Sequence, residues 1–211
     1  MIDLWTAATG NGFKASIMLE ESGLDYQVHA LDLSAGDYKK PEFLAINPIG
    51  KIPVIRDQDG LEGGPVTVAE TTAIVFYLAE KSGVLRPHNG LEQTRILQWA
   101  SVISSGFGPA FSFLVAFDLF APEKIPFASH FFVKEAHRYY NVMEAQLSRT
   151  PFLVGESYTL ADVLAFPVAA SSAGRLEGGL EPYPHIRRWR DVVARRPAVQ
   201  RGMKIPAPDA R

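Results

Sequence analysis

With 211 residues, 47% of them hydrophobic and 21% charged, the chain is long enough to bury a core in one large domain or two small ones, and its composition excludes a disordered protein. A formal charge of −2 excludes an overall electrostatic drive toward nucleic acid or anionic membrane, and the absence of cysteine excludes disulfides, thiolate metal sites and a protein-borne thiol nucleophile. No apolar run approaches the roughly 18 residues that span a bilayer, and the first residues lack the pattern of a signal peptide, so a cytoplasmic protein is expected.

Residues 2–5 read as a short strand, followed by a glycine-containing turn and a helical pattern over 13–21 that Gly23 ends. Residues 26–31 form a second candidate strand. A polar loop and a helical turn at 41–44 lead to the apolar run 52–55, then a turn at Asp59-Gly60, a strand over 65–68 and a helix over 70–82. This order predicts an α/β layer over residues 1–82. The break at 83–90, with Pro87 and Asn89 inside it, reads as a linker, and 91–211 as an all-helical domain. Within it, 91–120 is one long helical region in which Gly106-Phe107-Gly108-Pro109 should produce a bend. Further helices are expected over 126–148 and 184–195. Thr159-Leu160-Ala161-Asp162 has the form of a capping box.

Three stretches of the first layer carry candidate chemistry. Pro53 stands at the mouth of its strand, where a residue with no N–H is tolerated only at the first position or on an edge. A cis Ile52-Pro53 bond, costing only about 0.5–1 kcal/mol, would turn the Ile52 backbone toward a cleft where an extended peptide pairs; otherwise Pro53 merely starts a strand. Glu70-Thr71-Thr72 opens a helix directly after a strand. There the Thr71 N–H and hydroxyl suit a carboxylate and Glu70 suits an ammonium, although an ordinary N-terminus uses the same residues. Thr9-Gly10-Asn11-Gly12 lies between a strand and a helix start, at what the order of elements places on the opposite edge of the layer, and could hold a second negative group. If that group is a thiolate, lowering its pKa by two from about 8.5 takes roughly 2.7 kcal/mol. A charged hydrogen bond of about 1.5–3 kcal/mol and a helix terminus of about 0.3–1 kcal/mol suffice without a general base.

Together, Asn47-Pro48-x-Gly50-Lys51-Ile52-Pro53 and Glu70 through Leu78 resemble the glutathione site of glutathione S-transferases, and Thr9 through Lys14 is similar to the Asn-Gly-x-Lys signature of the bacterial nu-class and Ure2-like group, some members of which reduce disulfides with glutathione. The resemblance implies a thioredoxin-like first domain with a cis proline at Pro53, a helical-bundle second domain, and a homodimer. It implies that Thr9 and Asn11 face the sulfur, that Ile52 and Pro53 bind the cysteinyl backbone, and that Glu70 and Thr71 bind the γ-glutamyl end. Lys51 is the candidate for a terminal carboxylate. Tyr38 stands where the disulfide-reducing relatives carry glutamine, and Phe131 where they carry arginine.

The co-substrate candidates are Phe13, Phe107, Phe111, Phe113 and Phe117, whose alternative is core or dimer packing. None of the five histidines stands in a metal motif, so no metal is expected. The expected function is a glutathione-dependent transferase or disulfide-bond reductase, with peroxidase activity as a variant, in which glutathione supplies the thiolate. The rival is a non-catalytic binding or regulatory protein on the same fold.

Overall fold

The computed structural model describes residues 1–172 and 174–207, and it divides into two compact units, one of residues 1–86 with the tail from Ala194, the other Pro87–Val193. The first unit runs β1 (Ile2–Thr6), α1 (Gly10–Ser22), β2 (Tyr26–Ala30), a 3-10 turn (Asp37–Lys39), α2 (Pro41–Leu44), β3 (Val54–Asp57), β4 (Val66–Ala69) and α3 (Thr71–Ser82). Its sheet has the order β2-β1-β3-β4, with β1 and β2 parallel and the other two pairs antiparallel, a thioredoxin-like arrangement. Ile2 and Leu4 of β1 and Val54 and Ile55 of β3 are buried with Ile17, Met18 and Leu19 of α1 and Ile74, Val75 and Leu78 of α3. Gly23 and Gly83 end α1 and α3 in the left-handed conformation that glycine adopts without penalty. Buried Asp57 accepts from the Tyr77 hydroxyl at 2.6 Å and from Lys81 Nζ at 2.8 Å, pinning the far end of α3 to β3.

The second unit is helical: α4 (Gly90–Val102), α5 (Gly108–Val115), α6 (Pro126–Leu147), α7 (Leu160–Ser172) and α8 (Pro184–Ala194). Asn89 caps α4 by accepting from the Glu92 N–H at 3.0 Å. The chain stays helical through 106–109. A π-helical turn, Ile103–Phe107, lies there, the Gly108 N–H donating to the Ile103 carbonyl, and leads into α5 with Pro109 in its first turn; a second π-helical turn, Ala116–Phe120, follows. At Gly106 a Cβ would stand 1.9 Å from the Tyr139 hydroxyl of α6, so any side chain there would displace the Tyr139 ring.

Gly90–Phe120 is therefore one helix of 31 residues, long and apolar enough by length and composition to cross a membrane, contrary to the sequence expectation. Its apolar side, including Ile96, Ala100, Ile103, Phe107, Phe111 and Leu114, is buried within this unit, where α6 and α7 pack on it.

Asp162 closes the second unit from within. Fully buried, it accepts from the Thr159 N–H and hydroxyl, the Leu153 N–H and Trp189 Nε1, which joins the start of α7 to α8 and to the preceding loop. Burial pushes its carboxyl up to about 6 against the pull of those donors.

The tail contains α9 (Pro197–Gly202), which the sequence assigns to the helical domain but which packs on α1 in the first unit. The difference arises from long-range packing that no local pattern announces.

Candidate active site

The register of the sheet assembles the candidate residues of the first unit. Trp5 near the end of β1 pairs with Val54 at the start of β3, and Val54 pairs with Ala69 at the end of β4. The segments attached there, Thr6 to Asn11, Ile52-Pro53 and Glu70-Thr71, thus leave the sheet at one end, not at opposite edges as the order of elements implied. β1 and β4 lie two strand spacings apart, about 9.5 Å. That matches the reach of a three-residue extended peptide, about 10 Å.

Thr9 is the N-cap of α1, and its side-chain oxygen accepts from the Gly12 N–H at 3.0 Å. Capping uses a lone pair, so the hydroxyl proton stays available to a ligand. Gly12 is fixed by close approach, since a Cβ would stand 2.1 Å from the Ala7 carbonyl oxygen. Asn11 is exposed, and its Oδ1 accepts from Lys14 Nζ at 2.9 Å.

The Ile52-Pro53 peptide is cis. β3 begins at Val54, two residues later than expected, so Ile52 precedes the first ladder pair. The loop before it is organised by Asn47, which is buried and bridges the turn, its Nδ2 donating to the Lys51 carbonyl at 2.7 Å and its Oδ1 accepting from the Ile49 N–H. Gly50 has a φ of 65°, and a Cβ there would crowd the Tyr38 carbonyl oxygen at 3.1 Å, which puts the Tyr38 backbone against this loop. Lys39 Nζ lies 5.3 Å from the centre of the Tyr38 ring. The Lys51 side chain is exposed.

Glu70, φ 68°, is the N-cap of α3 and makes no side-chain cap hydrogen bond, so its exposed carboxylate is not spent on its own helix. Thr71 opens the first turn, where the backbone N–H has no intrahelical acceptor.

The aromatic candidates divide. Phe107 and Phe111, 1% and 5% exposed, pack edge to face with each other and against Tyr140. They are core residues with no ring surface left for a co-substrate, which corrects the expectation for both. Phe113 and Phe117 stack on Phe132 and keep exposed or half-exposed surface, as does Phe13 on α1. Phe131 stacks with Phe127, and both are exposed. Among the described residues no three His, Asp or Glu side chains are grouped so as to hold a metal ion.

Asn47 and Lys14 stand in the sequence only as members of the two motifs, with no role of their own. The signal for Lys14 is its place at the end of the Asn-Gly-x-Lys signature, on the apolar side of a short helix.

A strand, a capped helix start, a strand preceded by a cis proline and a second helix start, all opening at one end of a thioredoxin-like sheet and joined in sequence to a helical unit, define the glutathione transferase class. The comparisons agree. Residues 11–81 match the N-terminal domain of glutathione S-transferases and residues 133–197 the C-terminal domain. The chain is 39% identical over 200 residues to the disulfide-bond oxidoreductase YfcG of Escherichia coli (strain K12), covering 94% of this chain and 92% of that protein. It superposes with a TM-score of 0.93 on a glutathione transferase from Burkholderia graminis solved with two glutathione molecules per subunit, at 34% identity over 98% of this chain and 89% of that one. A glutathione transferase from Pseudomonas putida, solved with one glutathione disulfide per subunit, gives 0.91 at 34% identity over 97% and 91%. The chain belongs to the glutathione S-transferase family.

Proposed function

We propose that this protein binds glutathione at the open end of its sheet and uses the bound thiolate to reduce disulfides. The observation carrying this reading is the convergence of Thr9 and Asn11, Ile52, and Glu70 with Thr71 at one end of the sheet, three points that match the three chemically different parts of an extended γ-glutamyl-cysteinyl backbone. Glu70 receives the α-ammonium and the Thr71 N–H and hydroxyl the α-carboxylate. Ile52, ahead of the ladder, pairs through its backbone with the cysteinyl residue, with Pro53 fixing the turn behind it. The Thr9 hydroxyl and the Asn11 amide donate to sulfur. Lys51 and the Tyr38 loop are the candidates for the glycine end.

The chemistry follows from the lack of cysteine: the protein contributes position and electrostatics, and both sulfur nucleophiles come from ligand. The glutathione thiolate attacks one sulfur of a disulfide R–S–S–R′, forming the mixed disulfide and expelling R′S⁻, which takes up a proton. A second glutathione thiolate then attacks the glutathionyl sulfur of the mixed disulfide, giving glutathione disulfide and RS⁻. Two thiols are oxidised and one disulfide is reduced. The similarity to YfcG, named a disulfide-bond oxidoreductase, and to chains that hold two glutathiones or glutathione disulfide supports this choice over conjugation. The reaction suits a reducing, glutathione-containing compartment such as the cytoplasm, and the working unit is proposed to be a homodimer.

Calorimetry with reduced glutathione followed by turnover with a small disulfide or an aryl halide tests the reading. Binding with disulfide turnover is expected. Turnover of the halide alone replaces reduction by conjugation, binding without either reaction favours a regulatory protein, and no binding overturns the site.

A further inference from the structure

One buried ionisable group has no part in the scheme above. Lys14 lies on the inner face of α1 beside Ala15, Ile17 and Met18, and only 2% of it is exposed. Burial pulls its pKa down from the ordinary value to about 8, with the negative charge of Glu70 opposing the fall. The other charged groups of the strands and of α3 are paired elsewhere or exposed. Asp3 of β1 pairs with His29, Arg56 of β3 lies exposed, Asp57 and Lys81 pair with each other, and Glu80 pairs with Arg86. On the far turn of α1, Glu20 and Glu21 are taken by Arg201 and Arg196. A buried, desolvated ammonium is a liability to the fold, which prompts the question of what it holds.

It holds Asn11. Lys14 Nζ donates to Asn11 Oδ1 at 2.9 Å. An ammonium has no acceptor, so the amide oxygen must face it and the Asn11 Nδ2–H₂ must face the other way. We propose that Lys14 is a positioning residue for the thiolate: it locks Asn11 with its amide N–H₂ outward and sets a fixed positive charge behind that amide, both of which favour an anion at Asn11. The inference rests on the glutathione reading. A sulfur accepting from Nδ2 would lie about 7 Å from Nζ, and across a partly desolvated path a unit charge at that distance moves a pKa by about one to two.

The test is a pH titration of thiolate absorbance at saturating reduced glutathione, with the full chain and its Lys14→Met and Lys14→Arg variants. Methionine fills the same volume without a charge, so folding is expected to survive. The bound thiol of Lys14→Met should titrate about one pH unit or more above that of the wild type, a loss of about tenfold in thiolate at a fixed lower pH. Lys14→Arg should restore much of it. Because coupling is reciprocal, the wild type labelled with ¹³C-lysine should show the Lys14 pKa rising when glutathione binds. If Lys14→Met titrates like the wild type, or the Lys14 resonance titrates identically with and without glutathione, the proposal is overturned while the thiolate reading stands. If the wild-type bound thiol titrates near its free value of about 8.5, the thiolate reading falls and takes the proposal with it.

Discussion

Ser16 Oγ donates to the carbonyl of Gly202 at 2.7 Å, joining positions 186 residues apart in the chain. The same contact between α1 and α9 is flanked by a two-pronged ion pair from Arg196 to Glu21, 2.8 and 2.9 Å, and by a second pair from Arg201 to Glu20. The helix that presents Thr9 and Asn11 is thus braced from behind by the end of the described chain. Gly202 permits this, because a Cβ there would stand 2.6 Å from the Ile17 Cα.

Gly202→Ala should therefore destabilise the protein by about 1–3 kcal/mol through overpacking against backbone that cannot yield. Gly90→Ala, where a Cβ would meet nothing within 4 Å, is the matched control and should stay within about 0.5 kcal/mol of the wild type. Chemical denaturation of the two variants compares them directly.

Asp162→Ala strips the acceptor from the Thr159 N–H and hydroxyl, the Leu153 N–H and Trp189 Nε1, all of which lie buried. A loss of about 3–5 kcal/mol is expected, since those donors regain no water. Asp162→Asn should lose less, because one acceptor oxygen remains. Urea midpoints separate the two.

Removing the Lys14 charge should stabilise the fold while harming the chemistry. Its pKa is about 8 when folded against an ordinary 10.5, a difference of about 3 kcal/mol. The sign follows from proton counting. Between pH 8 and 10.5 the unfolded chain holds more protons on this group than the folded one, so the penalty is complete below pH 8, is relieved progressively as pH rises from 8 to 10.5, and is gone above 10.5. Lys14→Met should accordingly melt higher than the wild type at pH 7, and its advantage should shrink as the pH is raised toward 10.

The two ends of the site should separate by readout. Glu70→Gln removes the counter-charge of the ligand ammonium and should weaken glutathione binding about tenfold by calorimetry, without raising the pKa of the bound thiol. Thr9→Val should do the reverse, raising that pKa with little change in the affinity measured below it, where the bound thiol is protonated in both proteins. It also removes the α1 cap, at a cost of about 1 kcal/mol in stability.

The parts of the site that were legible in the sequence are those where a short motif sits at the join of two elements. Thr9 before a helix, Pro53 before a strand and Glu70-Thr71 after a strand each carry a local backbone requirement that one stretch of sequence states. What was not legible depended on which way a helix turns or on partners far along the chain. Phe107 and Phe111 share the spacing of a pocket wall, but spacing does not say whether the shared face meets solvent or Tyr140. The π-helical turns at Ile103–Phe107 and Ala116–Phe120 were not legible either, because Gly and Pro mark an irregular place in a helix without saying of which kind. Lys14 stands in the sequence as the last residue of the Asn-Gly-x-Lys signature, with nothing to say that the fold buries it, and α9 reads as a tail until it docks on α1.

The central claim is that the open end of the sheet binds glutathione as its thiolate. The direct measurement is the ultraviolet thiolate absorbance of glutathione bound to the wild-type protein, followed from pH 5 to 9. The account predicts an apparent pKa well below the free-thiol value of about 8.5, by about one to two, and a return toward that value in Asn11→Ala. A bound thiol that titrates at its free value in the wild type would contradict it.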